Sequence, residues 1–543
     1  MLIQRRGLLM TAASAAALPR FAIAAGDDRP SITVAVQVIS TSNTLDPLAE
    51  QSNVGRRIMN SYLETLIGQN YQGQLEAVPR LATSWKRIDF STLELALKPG
   101  VICHNGDEFT AEDVAFSFGP DRMFGTTQPV GAETLKLATA NPTQVSKQLP
   151  AQVPPVARRL WPSLIRVEPV DKYTVRFINA TPDVTLEGRV MAIGSEVISR
   201  RGYEAAKSWL DYARAPIGTG PYRVVSFTPD HELILEAHDA YHGGRPPLKR
   251  IRFLQVPEVT QRVNGLRAGD FQFACDLPPD QIKTVESQPK LQVAGGLIPN
   301  MRITTFDKFD TALKEPKLRL AMAHAIDRKT IVDSLWLGRT IVPAGLQWPF
   351  YGPMFVQGWT VPEYDPALVK QLLKEANYKG DVIPYRLLND YYTNQTANAQ
   401  ILVEMWKTAG INVEIQMKEN WSQVFDPAGK RGIHDWSNSA VFNDPVSSIV
   451  SQHGPNGQQQ QTGEWTNAEM NDLSVKMTTS TDMKARHDMF ARMLMICERE
   501  DPAYTVLHQN ATFTGKPRSI LWKAAPDFAM DFRAANWGGT VNG

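Results

Sequence analysis

The apolar pattern of this 543-residue chain changes character near Pro299, and a single repeating architecture cannot accommodate both halves. Before that point apolar residues recur mostly at every second position, the period of a half-buried strand. Ile32, Val34, Val36 and Val38 alternate in this way, as do Leu93, Leu95 and Leu97 ahead of a Pro99-Gly100 turn. Val175 with Phe177, Leu233 with Leu235, and Ile251 with Phe253 predict three further strands. Thr110, followed by Ala111, Glu112 and Asp113, predicts the N-cap of a helix through 114–118. Beyond Pro299 helix and strand periods take turns. Pro316 opens a helix with Leu318, Met322, Ala325 and Ile326 on one face, predicted to end near Gly338. Asp365 and Pro366 start another, with Leu368, Leu372 and Ala376 as its buried stripe. Ile401, Leu402, Met405 and Trp406 pattern a third, stopped by Gly410. Ile411, Val413, Ile415 and Met417 then alternate as the strand of a βαβ unit. The glutamines at 458–461, between glycines and Pro455, read as a solvated loop. At ~100–200 residues per domain the length calls for two to four domains, and two α/β lobes are the coarse expectation.

The first residues read as an address. Arg5 and Arg6 precede an alanine-rich apolar run over 8–18, and Ala22-Ile23-Ala24 places small residues where a signal peptidase cuts. The run is shorter than the ~20 residues of a membrane span. Residues 1–24 are therefore expected to be an export signal, by the general or the twin-arginine route, cleaved near Ala24 and Ala25. No cysteine sits at that site to carry a lipid, and the periplasm is the expected destination. Lys plus Arg number 57 against 56 Asp plus Glu, which offers no basic surplus for nucleic acid. Three cysteines, Cys103, Cys275 and Cys497, are too few and too scattered for a disulfide scaffold or a zinc site.

Catalytic patterns are missing. There is no Gly-x-Ser-x-Gly elbow, no His-Glu-x-x-His, and no phosphate loop ending in Gly-Lys-Ser/Thr. Gly218-Thr219-Gly220-Pro221 lacks the lysine, and its proline removes a backbone donor. His238 and His242 could share a helix face, but Gly243-Gly244 follow and no third ligand is apparent, so a surface turn is expected there. Cys103 and His104 are adjacent, and in an extended segment their side chains point apart. The chain is expected not to be an enzyme and to need no cofactor or metal.

A series of short blocks in fixed order adds a resemblance. They are Thr44-Leu45-Asp46-Pro47, Tyr62-Leu63-Glu64-Thr65-Leu66, Val78-Pro79-Arg80-Leu81-Ala82-Thr83-Ser84-Trp85, and Leu97-Lys98-Pro99-Gly100-Val101. His104-Asn105-Gly106 with Phe116-Ser117-Phe118, Pro216-Ile217-Gly218-Thr219-Gly220-Pro221-Tyr222, Ala325-Ile326-Asp327-Arg328 and Tyr364-Asp365-Pro366 follow. Together they resemble the extracellular solute-binding proteins of family 5, periplasmic receptors of ATP-driven (ABC) importers for peptides, nickel, opines and some sugars.

The resemblance implies an α/β, two-lobe periplasmic-binding-protein fold of type II-like form, with the extra subdomain of the peptide-binding group. It implies lobe I over 25–297 with that subdomain at about 71–200, lobe II over 298–511, and a return to lobe I over 512–543. The hinge is then crossed twice, near Leu297 and Ala511. It also implies a monomer that captures an oligopeptide, opine or sugar conjugate between the lobes and delivers it to permease subunits in the inner membrane. An exported hydrolase acting on a similar solute is the alternative. Most of the quoted blocks are scaffold, with Asp327 and Arg328 expected as a helix cap and a surface pair.

Expected pocket positions are Gln51, Ser52 and Asn53 after the first block, Asn394, Trp421, and the loop over 434–445 with Asp435, Asn438, Val441 and Asp444. One departure bears on the solute. Peptide-binding members of the family place an aspartate four residues before the loop's proline, where it pairs with the ligand's ammonium. Here that position is Val441, and Asp435 and Asp444 fall out of register. An ammonium buried without a carboxylate is costly, which favours a modified solute over an ordinary peptide.

Overall fold

Two long strands, Leu291–Phe306 and Tyr504–Pro517, run antiparallel down the middle of the molecule. In this computed structural model, which describes residues 27–125 and 147–541, they are the fourth and fifth strands of a ten-stranded sheet. The expected export signal lies outside the described residues, as does the stretch 126–146 of the expected subdomain. On one side of the pair come Ile433–Ser439, Ile383–Leu388 and Val413–Lys418. On the other come Phe273–Ala274, Ser31–Val36, Arg250–Gln255, Glu232–Ala237 and Tyr222–Thr228. Ile383 pairs with Val413 in parallel, the two strands being joined by the helix Gln395–Thr408, so the anticipated βαβ unit is present.

The long pair does not keep one register. Leu291 faces Pro517 and Leu297 faces Ala511, but pairing resumes only at Met301 with Gln509. Gly295 lies just before the slip at φ +127, and a Cβ there would sit 2.0 Å from the Thr512 carbonyl oxygen. Only glycine fits both the angle and the approach. This irregularity separates the two halves of the sheet.

Three apolar clusters hold the molecule together, the second of them also taking in Val263, Leu266, Ile282 and Leu291 from before the slip. Ile32, Val34, Leu233, Leu235, Ile251 and Phe253 belong to a core that extends to Ile520, Trp522, Met530 and Phe532, so the C-terminal segment returns to the first half. The same core underlies a four-stranded antiparallel sheet in the order Ala82–Asp89, Thr92–Leu97, Thr174–Asn179, Leu164–Asp171. There Trp161 stacks on Phe177 with ring centroids 5.4 Å apart. In the other half Leu318, Met322, Ile383, Tyr385, Leu402 and Trp406 form a second cluster. Ile303, Trp348, Trp465, Phe490 and Met493 form a third.

Local rules hold at the helix starts. Thr110 and Asp113 make a reciprocal capping box for Ala111–Ser117, and the Asp365 carboxylate accepts from Ala367 and Leu368 N–H. Four expectations need correction. The helix from Pro316 ends at His324, and a new one, Arg328–Leu335, begins with Asp327 as its cap. Arg328 is not a surface partner: it is buried and donates to the Val506 and Pro362 carbonyls, both at 2.6 Å. The glutamines Gln458–Gln461 form one helical turn, and Gln459 is buried with its amide on the Ala503 carbonyl (2.9 Å). His238 and His242 lie in no exposed turn. His238 Nε2 bonds the Ile102 carbonyl at 2.9 Å and His242 Nε2 meets Glu64 at 2.8 Å, both side chains being buried.

Candidate functional site

Between the two halves lies a cleft with about 560 Å³ of free space. Its first wall is built where the chain leaves the opening strand. The buried Glu50 carboxylate collects Ser40, Thr41 and Ser42, and Ser52 caps the helix Asn53–Met59 by accepting from Gly55 N–H at 3.1 Å. This holds Gln51, Ser52 and Asn53 at the cleft. A second piece of that wall is the helix Val153–Leu160, anchored inward by Val153 and Ala157, which leaves Arg159 facing the space.

The opposite wall is aromatic. Trp421 starts a short helix capped by Asn420, stands edge-on to Trp436 with centroids 4.7 Å apart, and stacks at 24° on Phe425. Tyr391 meets Trp421 at 5.2 Å. Tyr392 lies under the Arg302 guanidinium, 3.7 Å from its ring centroid. Arg302 in turn is paired with Asp435 inside the sheet. Burial raises the Asp435 carboxyl above its usual range against the pull of Arg302.

The expected pocket residues therefore divide. Gln51, Ser52, Asn53, Trp421, Asn438 and Val441 line the cleft. Asp435 is fully buried behind it. Asp444 is turned away, receiving Arg486 Nη2 at 2.8 and 2.9 Å on its two oxygens. Asn394 adopts φ +58 ahead of its helix and donates to the Leu335 carbonyl at 3.0 Å, off the cleft lining. Tyr391, Tyr392 and Arg159 line the cleft without having been singled out in the sequence, and Trp436 and Ser437 line it from within the expected loop over 434–445. The adjacent tyrosines beside the Asn389-Asp390 turn were the available sign.

The halves meet around this space. Asn53 Nδ2 donates to Ser437 Oγ at 3.2 Å, Gln461 Nε2 to the Pro155 carbonyl at 3.1 Å, and Val184 N–H to the Thr478 carbonyl at 3.1 Å. Among the described residues no group of three or more His, Cys, Asp or Glu is placed to hold a metal ion. All three cysteines are free and buried.

Two α/β lobes joined through a strand pair and closing on a cleft define a protein that encloses a small molecule. The family model described as "Bacterial extracellular solute-binding proteins, family 5 Middle" matches residues 76–460, and the chain belongs to that family. It is 26% identical to heme-binding protein A of Haemophilus influenzae over 505 residues, 87% of this chain and 85% of that protein. It is 24% identical to glutathione-binding protein GsiB of Pectobacterium atrosepticum, across 79% of this chain and 76% of the relative. The dipeptide-binding protein of Pseudoalteromonas sp. SM9913, solved with Met-Leu, superposes with a TM-score of 0.81 at 18% identity, covering 94% of this chain and 100% of that one.

Proposed function

We propose that this chain is the periplasmic receptor of an ABC importer, and that it captures one small organic solute in the cleft between its lobes. The single observation that carries this reading is the cleft itself: a space of molecular size, aromatic on one wall and hydroxyl- and amide-rich on the other, bridged by bonds between the lobes. Relatives named for heme, glutathione and dipeptides support a solute of that size. The family is made up of solute-binding proteins, which favours capture over the hydrolase alternative.

The hinge, in this reading, is the register slip between Leu297 and Met301 opposite Ala511 and Gln509. Lobe I is 25–297 with the four-stranded subdomain and the C-terminal return, and lobe II is 298–511. Solute completes contacts only the closed form offers and so shifts the open–closed balance by its differential affinity. Gln51, Ser52, Asn53, Trp421 and Asn438 contact it directly.

Mass spectrometry of what the isolated protein releases on unfolding tests the proposal. A single intact solute is expected. Returned at a hundredfold excess over Kd, it should stabilise the protein by about 2.7 kcal/mol. Chemical turnover of that solute on incubation would overturn the receptor reading.

A further inference from the structure

The cleft has an annex. A second space of about 300 Å³, between the four-stranded subdomain and lobe II, adjoins the cleft and shares Arg159, Leu160, Val441, Ser447 and Ser451 with its lining. The annex is mainly apolar, with Leu164, Phe442, Val446 and Val450 on its walls. Asp183 is the carboxylate there, and it is consumed by Arg189 Nε at 2.5 Å and by Thr185. Among the described residues no aspartate or glutamate lines the main cleft.

Arg159 lacks the counter-charge or carbonyl ring that most enclosed arginines have; its neighbour Arg158 also has buried nitrogens without a partner but does not line the cleft. Arg122 has Asp46, Arg431 has Asp307 and Arg486 has Asp444, at 2.5 to 2.8 Å. Arg262 and Arg328 lack close carboxylates but are met by carbonyls, the nearest at 2.6 Å. Arg56, on the same cleft wall, is paired with Asp527 at 2.7 Å. Arg159 has only the side-chain amides of Gln51 and Gln458, at 3.4 and 3.5 Å, and its Nε is enclosed with no partner. Crowding without a counter-charge pushes its guanidinium down to about 10, so it is still a cation at neutral pH. A desolvated cation facing a cavity without an anion calls for one from the ligand.

Resting on the reading of the cleft as the solute site, we infer that the solute is an amine-blocked carboxylic acid. Its carboxylate is received by Arg159 and its apolar substituent enters the annex past Val441. A monoanion matches Arg159, the one arginine of the described cleft lining without a carboxylate, where a phosphate dianion would remain half unpaired. A free ammonium finds no carboxylate on either wall, whereas the Val441 side chain suits an acyl or aryl group.

Calorimetry with four probes tests this: Leu-Leu, N-acetyl-Leu-Leu, N-acetyl-Leu-Leu amide, and N-octanoyl-Leu-Leu. The acetylated acid should bind more tightly than the free peptide, and the octanoyl acid more tightly still. Amidating the carboxylate should weaken binding by about tenfold to a hundredfold. In Arg159→Gln the acid and its amide should become nearly equal. Val450→Phe, which narrows the annex, should remove the octanoyl advantage and leave the acetyl probe little changed. Circular dichroism and melting of each variant establish that it is folded. The inference is overturned if Leu-Leu binds the unaltered protein as well as its acetyl form, if Arg159→Gln weakens acid and amide alike, or if none of the probes binds at millimolar concentration. A co-purifying intact solute with a free amine and no carboxylate would also overturn it while leaving the receptor reading standing.

Discussion

His104, His453 and His508 are each bonded as neutral rings. His508 accepts from Trp336 Nε1 at 3.2 Å on Nε2 and lies 3.0 Å from the Gln509 carbonyl on Nδ1, so a second proton would break the tryptophan bond beside Arg302. Burial holds His104 down to about 4, and His453 and His508 down to about 3, from 6.5. In the window from 6.5 down to these values the unfolded chain binds more protons than the folded one. Stability attributable to these rings therefore falls as pH is lowered through it, by about 1.4 kcal/mol per unit per ring. Glu196 and Asp531, both raised to about 7 by burial, act in the opposite sense above pH 4.5, since the folded form holds their protons. The net slope is thus partly cancelled, and the histidine contribution is isolated by substitution. His508→Gln should have a shallower loss of stability between pH 6.5 and 4, by about one proton's worth, in urea unfolding at a series of pH values. Parallel curves for the two proteins would show that His508 carries no such linkage.

At the scale of elements, the block Gly218-Thr219-Gly220 acts as a seam rather than an anion cradle. A Cβ on Gly220 would lie 2.6 Å from the Tyr62 carbonyl carbon, and Thr219 Oγ1 donates to Glu64 at 3.0 Å. Glu64 also accepts from Tyr241 at 2.8 Å and meets His242 at 2.8 Å. Burial alone would raise its carboxyl, but His242 and Tyr241 hold it below the usual range. Gly220→Ala should destabilise the protein by about 1–3 kcal/mol, the range for overpacking against rigid backbone, read from thermal or urea unfolding. An unchanged midpoint would mean that the strand can move aside freely. The short glutamine helix is the second element to test. Gln461→Ala removes the bond to the Pro155 carbonyl across the lobes and should weaken solute binding by about two- to tenfold, with the empty protein's melting temperature little altered. Equal loss of stability with and without solute would contradict its role in closure.

These two elements also mark how far the sequence could be read. Strands announced themselves through alternation because one face of each is buried, and helix starts through Thr110, Asp365 and proline, because caps are local chemistry. Apolar residues that continue the helical stripe carried the first helix past its end at His324, although Asp327 was itself expected as a cap and accepts from Thr330 N–H at 3.1 Å. Gln459 could not be foreseen because its partners are Phe306 and Ala503, distant in sequence. In the same way nothing in the sequence sets Arg159 apart from Arg158 beside it. Its lack of a carboxylate is a property of the assembled walls, and no local pattern records it.

For the whole molecule, the two long strands are the only sheet connection between lobes among the described residues, and their register slip is the proposed place of bending. Small residues there, Gly295 and Gly296, leave the backbone free to change its angles. One cluster also spans the boundary, joining Val263, Leu266, Ile282 and Leu291 to Leu318 and Met322, so packing as well as the sheet ties the lobes together. The bonds Asn53–Ser437 and Gln461–Pro155 join the lobes across the cleft, and the proposed closure predicts that they break when the lobes open. The most direct test is small-angle scattering on protein stripped of its co-purified solute by unfolding and refolding, measured before and after that solute is returned at a saturating concentration verified by calorimetry. The account predicts a fall in the radius of gyration and a loss of the extended dimension as the lobes close. An unchanged scattering curve with the site fully occupied would contradict it.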